Sequence, residues 1–108
     1  MTLETWGGGG ETFKYDGSVA TGTTIHYGEN FRWKAVIGAS DYARLLRQFS
    51  GKEVAIGTSK STPPPGSVGE WMKANVNKSG LMSYVGAILV KEKYAVKPRA
   101  GRIQFRAV

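Results

Sequence analysis

The sequence predicts an α+β domain, on three observations. Residues 40–49 and 81–89 carry apolar side chains at helical spacing, and a Ser67-x-x-Glu70 signal opens another helix between them. Short runs rich in β-branched and aromatic residues flank these helices and read as strands. At 108 residues the chain has the length of one domain with its own core.

The first 39 residues are read as a flexible, Gly-rich lead followed by a β-hairpin packed on the core. Gly7 to Gly10 carry too much backbone entropy for a helix or strand. Residues 12–15 form a short strand closed by the turn dipeptide Asp16-Gly17. Residues 23–27 and 31–36 form a hairpin around Gly28-Glu29-Asn30, with Tyr27, Phe31 and Trp33 packing on the helices. His26 is read as a packing residue of this hairpin.

The second unit, residues 40–108, starts with a helix. Ser40 or Asp41 caps it, and Tyr42, Leu45, Leu46 and Phe49 form its buried stripe. Gly51 stops it, and residues 53–57 give a brief strand. Three consecutive prolines make residues 59–66 a stiff loop. Ser67 and Glu70 then form a capping box, and Val68, Trp71, Met72, Asn75 and Val76 line one face, with Trp71 in the core. Asn77-Lys78-Ser79 is the turn. A third helix follows, with Leu81, Val85, Ile88 and Leu89 inward, and Ser79, Met82, Ser83, Gly86 and Ala87 outward. It ends near Lys93. Residues 94–97 and 102–105 form a hairpin around Pro98-Arg99-Ala100-Gly101.

Composition narrows the function. Without cysteine there is no disulfide or thiolate metal site, and one histidine cannot form a His-rich zinc site. No metal or other cofactor is expected. No apolar run approaches the roughly 20 residues of a membrane span. The N-terminus has neither the basic nor the apolar region of a signal peptide, so a cytoplasmic location is expected. Eight scattered carboxylates make no metal pair, and no catalytic cluster is visible, so the chain is read as a non-enzyme. Charge is segregated. Residues 1–30 hold one base against four acids, net −3, whereas residues 31–108 hold 14 bases against four acids, net +10. A polyanion is the partner such clustering suggests.

The element order, with SYVGAILVKEKYAVKPRAGRIQF at its end, resembles the winged helix-turn-helix family over about residues 40–106. In the shared pattern a small-polar-Val-Gly-x-Ile-Leu helix runs into a hairpin ending Gly-Arg-Ile. The resemblance implies a three-helix core, residues 79–93 as recognition helix and residues 97–102 as a basic wing. It thus implies double-stranded DNA as partner, with Lys78, Ser79, Met82, Ser83, Tyr84, Lys91, Lys97, Arg99 and Arg102 as contacts. Residues 73–108 hold eight bases against Glu92 alone, net +7, so the charge falls on the same elements.

Met82, Ser83 and Ala87 cannot make the bidentate contacts that distinguish guanine or adenine. Phosphate contacts are therefore expected to dominate, with modest specificity or readout of shape or a modified base. Tyr84 either covers the turn or reaches a phosphate. The bland helix face also suits a protein-docking use of the fold, the alternative function. A homodimer through residues 1–39 is a further expectation, as is a regulatory or DNA-targeting role.

Overall fold

Burying Tyr42, Leu45 and Phe49 on one side fixes helix α1 (Ala39–Gln48) against the core. The computed structural model describes residues 2–7, 10–58, 63–76 and 81–107. The cap of α1 is Gly38, two residues before the expected Ser40. Asp41 acts from inside the first turn, its carboxylate accepting the Gly38 N–H at 3.3 Å. Strand β5 (Glu53–Ala55) follows.

Helix α2 (Val68–Asn75) starts as the Ser67/Glu70 pair predicts, with one shift. The Ser67 hydroxyl accepts the Glu70 N–H at 3.1 Å, but Glu70 accepts from Gly66 rather than from Ser67. The reason is that the Ser67 N–H already donates to the Pro64 carbonyl. The start of α2 is pressed onto the end of β5: Gly69 donates to the Ile56 carbonyl at 3.0 Å, and a Cβ at Gly69 would collide with the Gly57 backbone.

Helix α3 (Met82–Lys91) ends in a Schellman arrangement. Tyr94 N–H donates to the Leu89 carbonyl and Lys93 N–H to that of Val90, with Lys93 at φ 68°. The expected Asn77-Lys78-Ser79 turn lies outside the described residues.

The N-terminal third forms a sheet, β1 (Thr2–Glu4), β2 (Thr12–Ser18), β3 (Gly22–Tyr27) and β4 (Trp33–Ile37), antiparallel in chain order. Residues 2–4 are thus a strand rather than a flexible lead, because Leu3 gains a place opposite Phe13 on the inner face. The Asp16-Gly17 turn is also corrected. Strand β2 continues through both residues, and the chain reverses at 18–21, where the Ser18 and Thr21 hydroxyls bond at 2.8 Å. After β3, a short 3-10 turn (Glu29–Phe31) replaces the simple loop. Phe31 adopts φ 55° outside the strand that was expected to include it. Its ring packs under the Lys14 ammonium, 4.6 Å from the ring centre.

The second sheet joins β5 to the C-terminal hairpin β6 (Ala95–Arg99) and β7 (Arg102–Phe105), in the order β5-β7-β6. Phe105 stacks on Phe49 with ring centres 5.4 Å apart, fastening this sheet to α1. The N-terminal sheet is fastened twice. The buried Thr23 hydroxyl bonds Tyr42 of α1 at 2.7 Å. Glu92, just past α3, accepts from the Tyr15 hydroxyl at 2.7 Å and the Val19 N–H at 2.9 Å. Phe13, Ile25 and Ile37 from the sheet share one buried cluster with Leu45, Met72, Ile88 and Ile103. Among the described residues, no helix is long and apolar enough to cross a membrane.

Candidate functional site

The sequence pattern leaves Met82, Ser83 and Ala87 on an outward face of α3. The structure overturns that expectation. Met82 and Tyr84 are buried, Gly86 is buried, and Ser83 and Ala87 are half-buried. The cover comes from the N-terminal segment. Trp6 N–H donates to the Ser83 carbonyl at 2.8 Å, and the indole lies on Gly86. Phe13 and Tyr27 both approach Tyr84, each with ring centres 5.1 Å away. Tyr84 is packed against these two rings, and burial raises its pKa. A helix apolar nearly all round is stable only when enclosed on both sides, and α3 is enclosed.

The end of α3 and the C-terminal hairpin keep their charge at the surface. Lys91, Lys97 and Arg99 are exposed and Arg102 is half-buried. Two arginines share one carboxylate: Glu53 lies 3.7 Å from Arg99 and 3.3 Å from Arg102. Arg102 also donates to the Glu53 carbonyl, which holds it along the sheet. Lys97 is held too, its ammonium donating to the Trp6 carbonyl at 2.7 Å and lying 4.9 Å from the indole centre. Such partly exposed pairs orient side chains more than they stabilise the fold. Lys78 and Ser79, the other expected contacts, lie outside the described residues.

No family model matches the chain, and no curated protein or solved structure matches it. Function therefore has to be argued from the surface itself.

That surface has one unpredicted feature. Strand β4 ends the four-stranded sheet, and among the described residues nothing pairs with its outer edge. It also carries Trp33 (59% exposed) and Val36 (58%), the two most exposed large hydrophobic side chains among the described residues. Trp33 is not packed on the helices as expected; its ring is exposed and lies beside Gly28. The exposed cations Arg32 and Lys34 flank it, the Arg32 guanidinium 5.7 Å from the indole. On the outer sheet face Lys14, His26 and Lys34 form one cross-strand row. His26 does not pack in the core; its Nε2 lies 3.1 Å from exposed Asp16.

Trp71 differs from its expected place as well. It is half-buried between α1 and α2, with Arg44 5.8 Å from its ring and Phe49 edge-on at 6.2 Å. Among the described residues no group of three His, Cys, Asp or Glu side chains could hold a metal ion.

Proposed function

We propose that this chain is a winged-helix module that docks a protein partner, its third helix serving as core rather than as a reading head. The winged-helix assignment rests on connectivity: helix, strand, two helices, hairpin, with the first of these strands beside the last. The protein-docking assignment rests on one observation. The helix that would enter a major groove is roofed by Trp6, Phe13 and Tyr27, while Trp33 and Val36 stand open on a free strand edge.

The partner is an extended acidic segment that adds as a strand beside β4. Backbone groups of β4 supply the hydrogen bonds, Trp33 and Val36 the apolar contact, and Arg32 and Lys34 the charge selection. A second copy of the chain is a poorer occupant. Each copy carries +7, and a lysine on an edge strand opposes self-pairing.

A photoreactive residue placed at position 33 tests this in extract of the source cells. Protein adducts are expected, reduced by Lys34→Glu and by Val36→Pro, which interferes with strand addition. Nucleic-acid adducts at position 99 with none at 33 would contradict it.

The exposed wing favours a second reading, weak duplex binding through phosphates. Lys91, Lys97 and Arg99 could neutralise about three phosphates, giving a log-log salt slope near −2.7. Anisotropy with a labelled random duplex measures it. Loss of that slope on reversing Lys97 and Arg99 supports the second reading, and no binding at low salt removes it.

A further inference from the structure

We infer that the strand docked at β4 is selected by its side-chain pattern, an inference that rests on the docking proposed above. The pattern is an acidic residue opposite Lys34, a β-branched residue opposite Val36 and a large apolar residue opposite Trp33.

The outer face of the four-stranded sheet carries Lys14, His26 and Lys34 side by side, one from each of β2, β3 and β4. Two of the three have companions. The Lys14 ammonium lies over the Phe31 ring, and His26 Nε2 meets the Asp16 carboxylate at 3.1 Å. Lys34, the last of the row, has no counter-charge among the described residues. The next place in the row belongs to a strand added at the free edge of β4. Directly opposed side chains on neighbouring antiparallel strands stand about 5 Å apart at Cβ, and opposite charges there favour pairing. A carboxylate is the group that fits.

Alternation fixes the rest. Val36 is exposed two residues from Lys34 on the same face, where a β-branched neighbour packs best. Trp33 and Ala35 belong to the other face, with the buried Ile37. An acid moved by one residue would leave Lys34 unpaired and set its charge on the core side of the sheet. The sheet is antiparallel throughout, and an antiparallel partner continues it with the more stable ladder. From its N-terminus, the partner therefore runs β-branched, any residue, acidic, large apolar.

Two capped peptides of one composition test this with the full chain labelled with ¹⁵N. In Thr-Val-Thr-Glu-Leu-Glu-Ser, antiparallel pairing of the valine with Val36 brings the first glutamate opposite Lys34 and the leucine opposite Trp33. Thr-Val-Glu-Thr-Leu-Glu-Ser moves that acid to the other face. The first peptide should shift the backbone amides of residues 33–37 saturably and bind about tenfold tighter than the second. Lys34→Glu should weaken the first peptide about tenfold, and Thr-Val-Thr-Lys-Leu-Glu-Ser should bind that variant better than it binds the natural chain. Equal affinity of the first two peptides at β4 would overturn the pattern and leave strand docking standing. Shifts confined to other elements, or none at millimolar peptide, would also overturn it. Docking at β4 then survives only if protein adducts at position 33 still form.

Discussion

The Trp6 indole rests on the Cα of Gly86, where even a methyl group would meet its Cε3 at 2.7 Å and Ile56 Cδ1 at 3.0 Å. This contact seals α3 from solvent and joins the N-terminal segment to the helical core. Gly86→Ala should therefore destabilise the protein, although alanine is the better helix former. Crowding costs roughly 1–3 kcal/mol, whereas helix propensity returns only about 1 kcal/mol. The destabilisation should shrink in a Trp6→Ala background, where only Ile56 Cδ1 is left to give way. Urea unfolding of the four proteins in that cycle measures the coupling. Equal effects of Gly86→Ala in both backgrounds would show that the contact carries no energy.

Glu92 fastens the β2–β3 hairpin to the end of α3. Its two carboxylate oxygens accept from the Tyr15 hydroxyl and the Val19 N–H. Glu92→Gln keeps the shape but removes the charge and one acceptor, so the Val19 N–H and the Tyr15 hydroxyl can no longer both donate to carboxylate oxygens. A loss of about 1–3 kcal/mol is expected. Amide exchange should accelerate most at Val19. Unchanged protection there would separate the hairpin from Glu92.

Much of the fold was legible in the sequence, and the reason it was is local. Ser67, Glu70 and the stripes of α1 and α3 act within a turn or two of their own positions. The role of Trp6 was not legible, because it depends on a partner 80 residues away. One trace was available. A glycine in the middle of an apolar helix costs stability unless something approaches closely, and Gly86 was such a glycine. The outward face assigned to Met82, Ser83 and Ala87 failed for the same reason, since helical periodicity cannot tell a solvent face from one roofed by another segment. Of the candidate contacts, Lys91, Lys97 and Arg99 were placed correctly at the surface. Glu53 as the counter-charge of Arg99 and Arg102 came from strand pairing, which no spacing announces.

Alkaline unfolding should follow from the tyrosines. Burial pushes Tyr42 up to about 12, and burial together with the Glu92 carboxylate raises Tyr15. Burial also raises Tyr84. A tyrosine is neutral when protonated, so a raised folded pKa means that the folded state holds the proton more tightly. The stabilisation is complete below the unfolded value of about 10 and is lost as pH rises through the folded values. Each such group contributes a slope of about −1.4 kcal/mol per pH unit in that window. Urea midpoints from pH 9 to 11.5 should show the decline, and Tyr42→Phe should make it shallower. Absorbance at 295 nm should find the five tyrosines ionising in separate groups, the buried ones only with unfolding. Five tyrosines titrating together near pH 10 in a protein that stays folded would refute the assignment.

Lys93 offers the opposite kind of test, a substitution that should improve the protein. It occupies the left-handed position after α3 at φ 68°, where glycine has no steric penalty. Its backbone N–H is committed to the Val90 carbonyl, and the next residue closes the motif on Leu89. The side chain is exposed, so removing it forfeits little packing. The strain of a non-glycine residue here is roughly 1 kcal/mol, offset in part by the greater freedom glycine brings to the unfolded chain. The lysine also places a cation at the negative end of the helix dipole, an exposed interaction of about 0.3–1 kcal/mol. At high salt that attraction is screened and the strain remains. Lys93→Gly should therefore be close to neutral at low salt and stabilising by up to about 1 kcal/mol at 0.5 M salt. Thermal unfolding at both salt concentrations decides it. A destabilisation that persists at high salt would mean that Lys93 has a packing role at the end of α3 that outweighs its backbone strain.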